Sequence, residues 1–198
     1  DMKLYNKEID GNFRSRYACD DEFIITHISN FRKVKRIRDV ITIFSNINKS
    51  HNCKLLMIGD GPDRLMAEQM CRKLEISGKV KFLGKLKLIE NILSLADVFV
   101  LPSETESFGL VALEAMASKV AVISTDGGGL PEVNIDGHTG YLSKVGDVDK
   151  MSSDLSNLLS NPELLNTMKS NAFEHAKSFD LPNILPMYED IYFKLCQK

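Results

Sequence analysis

The chain has 198 residues, 43% of them hydrophobic and 26% charged, with 12 Gly and 6 Pro. This profile excludes collagen, coiled coil and wholesale disorder, and the length is enough to bury a full core. With 25 basic and 27 acidic residues the formal charge is -2, which argues against a protein that coats nucleic acid with its whole surface.

No apolar run approaches the roughly 20 residues of a membrane helix. The opening Asp-Met-Lys-Leu-Tyr is not a secretory signal and reads as the interior of a longer protein. None of Cys19, Cys53, Cys71 and Cys196 forms a Cys-x-x-Cys pair, so neither a metal knuckle nor a redox motif is expected. Cys53 opens an apolar run and Cys71 falls on an apolar helix face, as small buried hydrophobes do. A reducing, cytoplasmic setting is expected.

Short apolar runs then alternate with longer amphipathic ones. Residues 22–28 form a β-branched run that predicts a strand. Ile37, Val40, Ile41, Phe44 and Ile47 recur on one helix face. A second strand over 54–58 ends at Gly59-Asp60-Gly61-Pro62, and Pro62 suits the first position of the next helix, which buries Ala67, Met70, Cys71 and Leu74. Strands follow at 80–83, 98–101, 120–124 and 141–143, separated by helical segments at 89–95 and 108–117. The glycine turn Gly127-Gly128-Gly129 leads into a Pro-started helical turn. Three helices are predicted after the sixth strand, the last over 184–195 with its start blurred by Pro182 and Pro186. Strand–helix alternation of this kind predicts an α/β fold, a Rossmann-like parallel sheet with helices on both faces. In such folds ligands sit beyond the carboxyl ends of the strands.

The turn after the first strand holds five bases in seven positions, Arg32, Lys33, Lys35, Arg36 and Arg38, with no carboxylate among them. At a helix start cations oppose the dipole, and an anion relieves both the repulsion and the unsatisfied amides. The cluster reads as a phosphate or diphosphate clamp, or as a solvated basic face, or as a nucleic-acid patch. After the fourth strand a polar loop enters a helix near Ser107–Gly109. The amides of Ser107, Phe108, Gly109 and Leu110 suit a phosphate or sugar oxygen. Glu106 and Glu114 lie eight apart, about 80° beyond two helical turns. A carboxylate suits vicinal hydroxyls and repels phosphate. The plainer reading makes both glutamates surface charges. The glycine triplet lacks dinucleotide spacing, and the 59–62 turn lacks the lysine of a P-loop. Each either lines a pocket or is simply a turn. His27, His51, His138 and His175 are dispersed and read as satisfied or solvated histidines.

Gly59-Asp60-Gly61-Pro62, the run from Glu106-Ser107-Phe108-Gly109 to Glu114-Ala115-Met116-Ala117, and Gly128-Gly129-Leu130-Pro131-Glu132 together resemble the carboxyl-terminal half of a retaining, GT-B-fold family 4 glycosyltransferase. The stretch from His27 to Arg36, and Val145-Gly146-Asp147-Val148, are similar to the N-acetylglucosaminyl–malate transferases of bacillithiol synthesis. The resemblance implies that this half binds a nucleotide-sugar donor, UDP-N-acetylglucosamine, and that a missing amino-terminal domain supplies much of the site for a small acceptor, L-malate. It assigns Glu114 to the ribose hydroxyls and Glu106 to the donor sugar. The Ser107–Leu110 amides, Arg32 and Lys35 would hold the diphosphate, and Arg32, Lys35 and Glu106 would be the catalytic set. Gly59 and Asn30 would sit at the donor, with Leu86 edging the base. Many relatives carry Gly-Arg where this chain has Ser29-Asn30, and the arginine's role falls to Arg32. Neither a metal nor another cofactor is implied.

The expected division is a lead-in over 1–22, a nucleotide-sugar domain over 23–180 and a crossover helix over 181–198. The apolar stripe of that helix is expected to be partly exposed and to favour association, with a second copy or with the missing half. The fragment alone is expected to bind donor without turnover. Competing readings are a non-catalytic nucleotide-sugar module and half of a sugar-nucleotide epimerase.

Overall fold

A computed structural model describes residues 2–5 and 11–196. Positions 1 and 6–10 of the expected lead-in and 197–198 of the expected closing helix lie outside the described residues. The core is a six-stranded, all-parallel sheet in the order β3-β2-β1-β4-β5-β6. Its strands are β1 (Phe23–Ser29), β2 (Cys53–Gly59), β3 (Val80–Gly84), β4 (Val98–Leu101), β5 (Ala121–Thr125) and β6 (Gly140–Ser143). The helices are α1 (Met2–Tyr5), α2 (Gly11–Arg14), α3 (Ile37–Ile47), α4 (Arg64–Lys73), α5 (Glu90–Leu93), α6 (Leu110–Ala117), α7 (Leu130–Val133), α8 (Val148–Ser160), α9 (Pro162–Lys177) and α10 (Leu181–Cys196). The doubly wound fold expected from strand–helix alternation is the one observed.

The strands are continuous apolar runs because both faces of the sheet are covered. Alternate side chains divide into two cores. Ile25, Leu55, Met57, Val98, Val100 and Ile123 pack with α3, α4 and α8. Ile24, Leu56, Ile58, Phe99, Leu101 and Val122 pack with α5, α6 and α9. Cys53 and Cys71 are buried free thiols, as expected, and burial pushes both up to about 11.

Boundaries differ from expectation where local signals mislead. The fifth strand is shifted by one residue, to 121–125. α4 starts two residues after Pro62, and α6 starts at Leu110 rather than 108, because Ser107 and Phe108 remain in the loop. The basic turn does not run straight into its helix: a 3-10 turn covers Lys33–Lys35, and Arg36 adopts a left-handed backbone (φ 50°) before α3 begins. α10 extends through both prolines, from 181 to 196, with Pro186 inside it and no buried residue.

His27 is a satisfied core histidine, as its isolation in the sequence suggested. It is fully buried. Nδ1 lies 2.9 Å from the Val100 carbonyl oxygen, and Nε2 lies 2.8 Å from the Ser29 hydroxyl. Burial, reinforced by the Lys35 charge, lowers its pKa to about 4 against the opposing Val100 hydrogen bond. The neutral ring must take up a proton when the chain unfolds below pH 6.5, so acid favours unfolding. Stability is complete above pH 6.5 and falls as pH drops toward 4, by about 3 kcal/mol from this group. Urea unfolding at pH 7 and pH 4.5 should show this loss in the wild type and a much smaller one in His27→Gln. Equal losses in the two proteins would contradict the assignment.

Candidate functional site

Strand order reverses between β1 and β4. The chain leaving β1 enters α3 on one face, and the chain leaving β4 enters α6 on the other. The loops separate and leave a crevice at the carboxyl ends of these two strands, the switch point of an open α/β sheet. A groove of about 430 Å³ occupies it. One lip is Ile28, Ser29, Asn30 and Lys35, and the other is Glu106 through Val111 with Glu114. A larger hollow, about 650 Å³, lies between α6 and α10, but its lining is apolar, from Phe108, Leu110 and Phe179 to Met187 and Ile191. It offers nothing to hold a charged ligand.

Glu106 is the centre of the polar groove. Its Oε1 accepts from Lys35 Nζ at 2.6 Å and from Ser103 Oγ at 2.7 Å. The Lys35 and Glu106 side chains are only 19% and 12% exposed. Two further contacts tie the lips together. The Glu104 amide donates to the Val34 carbonyl at 2.8 Å, and Arg36 reaches Glu104 at 3.4 Å. Arg36 also pairs with Asp39 at 2.6 Å, so the basic cluster is partly neutralised by carboxylates from outside the run.

The glycine triplet is the seat of the Glu106 loop rather than a flexible turn. A Cβ on Gly128, whose φ is +68°, would stand 2.1 Å from the Glu106 carbonyl oxygen. On Gly127 it would stand 2.4 Å from that of Glu104, and on Gly129 2.7 Å from that of Ser107. The Gly129 amide donates to Glu106 O at 2.8 Å, and Thr125 Oγ1 donates to Ser103 O at 2.5 Å. Among the described residues, none of the amides of Ser107, Phe108, Gly109 and Leu110 donates to a backbone acceptor, and α6 presents its positive end to the groove.

The predicted residues divide. Asn30, Lys35, Glu106, Ser107, Phe108, Gly109, Leu110 and Glu114 are brought together in one groove. The glutamates are thus not surface charges eight residues apart. Arg32 and Leu86 are exposed and are not among the residues lining it. Gly59 is also outside the groove. It allows β2 to pass β1 where a Cβ would stand 1.8 Å from the Ser29 carbonyl oxygen. Glu114 is half-buried. Burial raises its pKa, Tyr5 opposes the rise by donating a hydrogen bond, and the Glu90 charge adds to it. Tyr5 was not visible as a site residue in the sequence, since it lies more than a hundred positions from Glu114 and in no recognisable motif.

Residues 10–175 match the model of the glycosyl transferases group 1 family. The chain is 41% identical over 195 residues to the N-acetyl-alpha-D-glucosaminyl L-malate synthase of Bacillus anthracis, covering 98% of this chain and 51% of that protein. Sucrose-phosphate synthase of Thermosynechococcus elongatus superposes with a TM-score of 0.89 at 26% identity, covering 100% of this chain and 51% of that one. The fold is shared with Anabaena HepE, solved in complex with UDP (TM-score 0.89, 21% identity, 100% of this chain and 56% of that one). The chain spans about half the length, or less, of the curated relatives it matches.

Replacing Gly128 with Ala should displace the Glu106 loop and cost about 2–4 kcal/mol, from the left-handed backbone and the overpacking together. Thermal unfolding measures this, and an unchanged midpoint would contradict the seating. The switch-point groove, the sequence of the loop that lines it and the match over most of the chain place this protein in the group 1 glycosyltransferase family.

Proposed function

We propose that this chain is the donor-binding half of a retaining glycosyltransferase that moves a hexosyl group from a nucleotide sugar to a small acceptor. The observation that carries the reading is the convergence of Lys35, Glu106, Glu114 and the Ser107–Leu110 amides on one groove at the switch point. Similarity to a protein named as an N-acetylglucosaminyl malate synthase favours UDP-N-acetylglucosamine as donor and L-malate as acceptor.

In this reading Glu114 accepts from the two vicinal ribose hydroxyls, which only a carboxylate can do with both oxygens. The α6 amides and Lys35 take the diphosphate, with Arg32 folding in from its exposed position on the same turn. Asn30 lies on the Lys35 lip, within the same groove. Glu106 stands beside the donor sugar. When the bond from sugar to diphosphate breaks, negative charge gathers on the leaving group, and Lys35 and the amides stabilise it electrostatically. The acceptor attacks from the face the diphosphate leaves, so configuration is retained.

The acceptor site belongs to an amino-terminal half outside this chain. α10 is the crossover to it. Met187, Tyr188 and Ile191 are each more than half exposed and line the apolar hollow beside α6. Residues 23–180 form the nucleotide-sugar domain and the preceding segment the lead-in. Among the described residues no helix is long and apolar enough to cross a membrane.

Calorimetric titration with UDP tests the reading. Wild-type chain should bind saturably. Glu114→Ala should weaken binding about 10- to 100-fold, the equivalent of about 1.5–3 kcal/mol for hydrogen bonds to a charged group. Lys35→Ala should weaken it as well. A folded wild-type chain that binds neither UDP nor another nucleoside diphosphate would overturn the reading.

A further inference from the structure

Glu114 is a wall between two hollows. One is the switch-point groove with Lys35 and Glu106. The other is a smaller hollow of about 250 Å³ behind α6, which Met2, Leu4, Tyr5 and Phe179 help to line. Tyr5 lines only the second. From there its hydroxyl donates to Glu114 Oε1 at 2.8 Å.

The short helix α1 that carries Tyr5 is anchored at both ends of its turn. The Met2 amide donates to Asp180 Oδ1 at 3.0 Å. Met2 and Tyr5 pack against the same apolar core that holds Ala112, Ala115 and Met116 of α6. Tyr5 is thereby fixed relative to the helix whose carboxylate it touches. A Tyr hydroxyl can donate one hydrogen bond, and a carboxylate offers about four acceptor sites. The contact therefore uses one of them and holds the carboxylate's orientation. Burial and the Glu90 charge both favour the protonated acid, and the Tyr5 bond opposes them by stabilising the charged form.

We propose that Tyr5 is a positioning residue for ribose recognition. Its hydroxyl holds Glu114 from behind, so that the remaining acceptor positions of the carboxylate face the vicinal hydroxyls of a nucleoside diphosphate. The proposal rests on the donor reading above and adds to it a residue from the lead-in, outside the sheet domain. Tyr5 does not touch the ligand. It acts only through Glu114, which sets what its removal should do.

The test is a set of calorimetric titrations on the 198-residue chain with UDP and with 2′,3′-dideoxy-UDP, using wild type, Tyr5→Phe, Glu114→Ala and the double variant. Tyr5→Phe keeps the ring in the core and removes only the hydroxyl. It should weaken UDP about 3- to 10-fold, as loss of one hydrogen bond implies, and leave dideoxy-UDP within about twofold. In the Glu114→Ala background it should change UDP affinity no further. The dideoxy affinity also reports whether the variant is folded. Equal weakening toward both nucleotides would reduce Tyr5 to a structural support and overturn the proposal. So would unchanged UDP affinity, or tighter UDP binding, which would mean that the hydroxyl occupies the ribose position. Failure of the donor reading looks different: the wild type would then bind neither nucleotide, or bind both equally well, before any variant is compared.

Discussion

Everything at the site follows from one constraint of an all-parallel sheet: the point where strand order reverses cannot be covered by its own connections. α3 and α6 leave neighbouring strands in opposite directions, toward the core faces lined by Val40 and by Ala112 respectively. Their loops part, and the crevice between them is open because no third connection crosses it. Ile28, Ser29, Asn30 and Lys35 form one lip, and Glu106 through Val111 with Glu114 the other. Two segments some seventy residues apart are adjacent for topological reasons before any side chain contact is made.

One side-chain contact and one backbone contact then stitch the lips together. Lys35 to Glu106 is one stitch, and the Glu104 amide to the Val34 carbonyl is a second. Beneath them the glycine triplet lets the β5 loop run against the β4 loop backbone to backbone, with the parallel bridge of Glu106 to Gly128 continuing the sheet's pairing past the end of β4. The site thus sits on an extension of the sheet instead of on a free loop. Loops so placed hold functional groups because the scaffold under them is rigid.

The sheet was legible because both of its faces are buried, which makes strands such as 98–101 unbroken apolar runs. The groove was legible in outline from the position of its loops after strands one and four. Less was legible where the deciding quantity is a distance between remote segments. The triplet at 127–129 reads in sequence either as a pocket wall or as a turn, and only the carbonyl oxygens of Glu104, Glu106 and Ser107 within reach of a missing Cβ decide between them. The bases at 32–38 read as one cluster, yet their side chains part. Lys35 goes to the groove, Arg36 to Asp39 and Glu104, and Arg32 to solvent. No periodicity carries that information. Helix signals failed at Ser107 and Phe108 because Gly109, just before α6, takes a left-handed backbone (φ 91°) that breaks the helical path ahead of Leu110.

The charge balance in the groove limits how an anion could be held. Among the described residues lining it, Lys35 is the one cation, and Glu106 and Glu114 are two anions. Lys35 is moreover already paired with Glu106. Side chains alone therefore make the groove no magnet for a diphosphate, and Coulomb attraction to the lining cannot be the main term. Free amides at the start of α6 carry partial positive charge without a counter-carboxylate, and they lie on the same lip of the groove as Glu106. A diphosphate bound there would compete with Glu106 for the Lys35 ammonium, which has three donors and can bridge both. Ser103 matters at that moment. Its hydroxyl holds the same Oε1 from the strand side, so the carboxylate keeps its place while the lysine divides its bonds. Under the proposed donor reading the lysine–glutamate pair would act as a poised cation rather than a closed salt bridge, and the seat provided by Gly127–Gly129 would keep the glutamate from following the lysine.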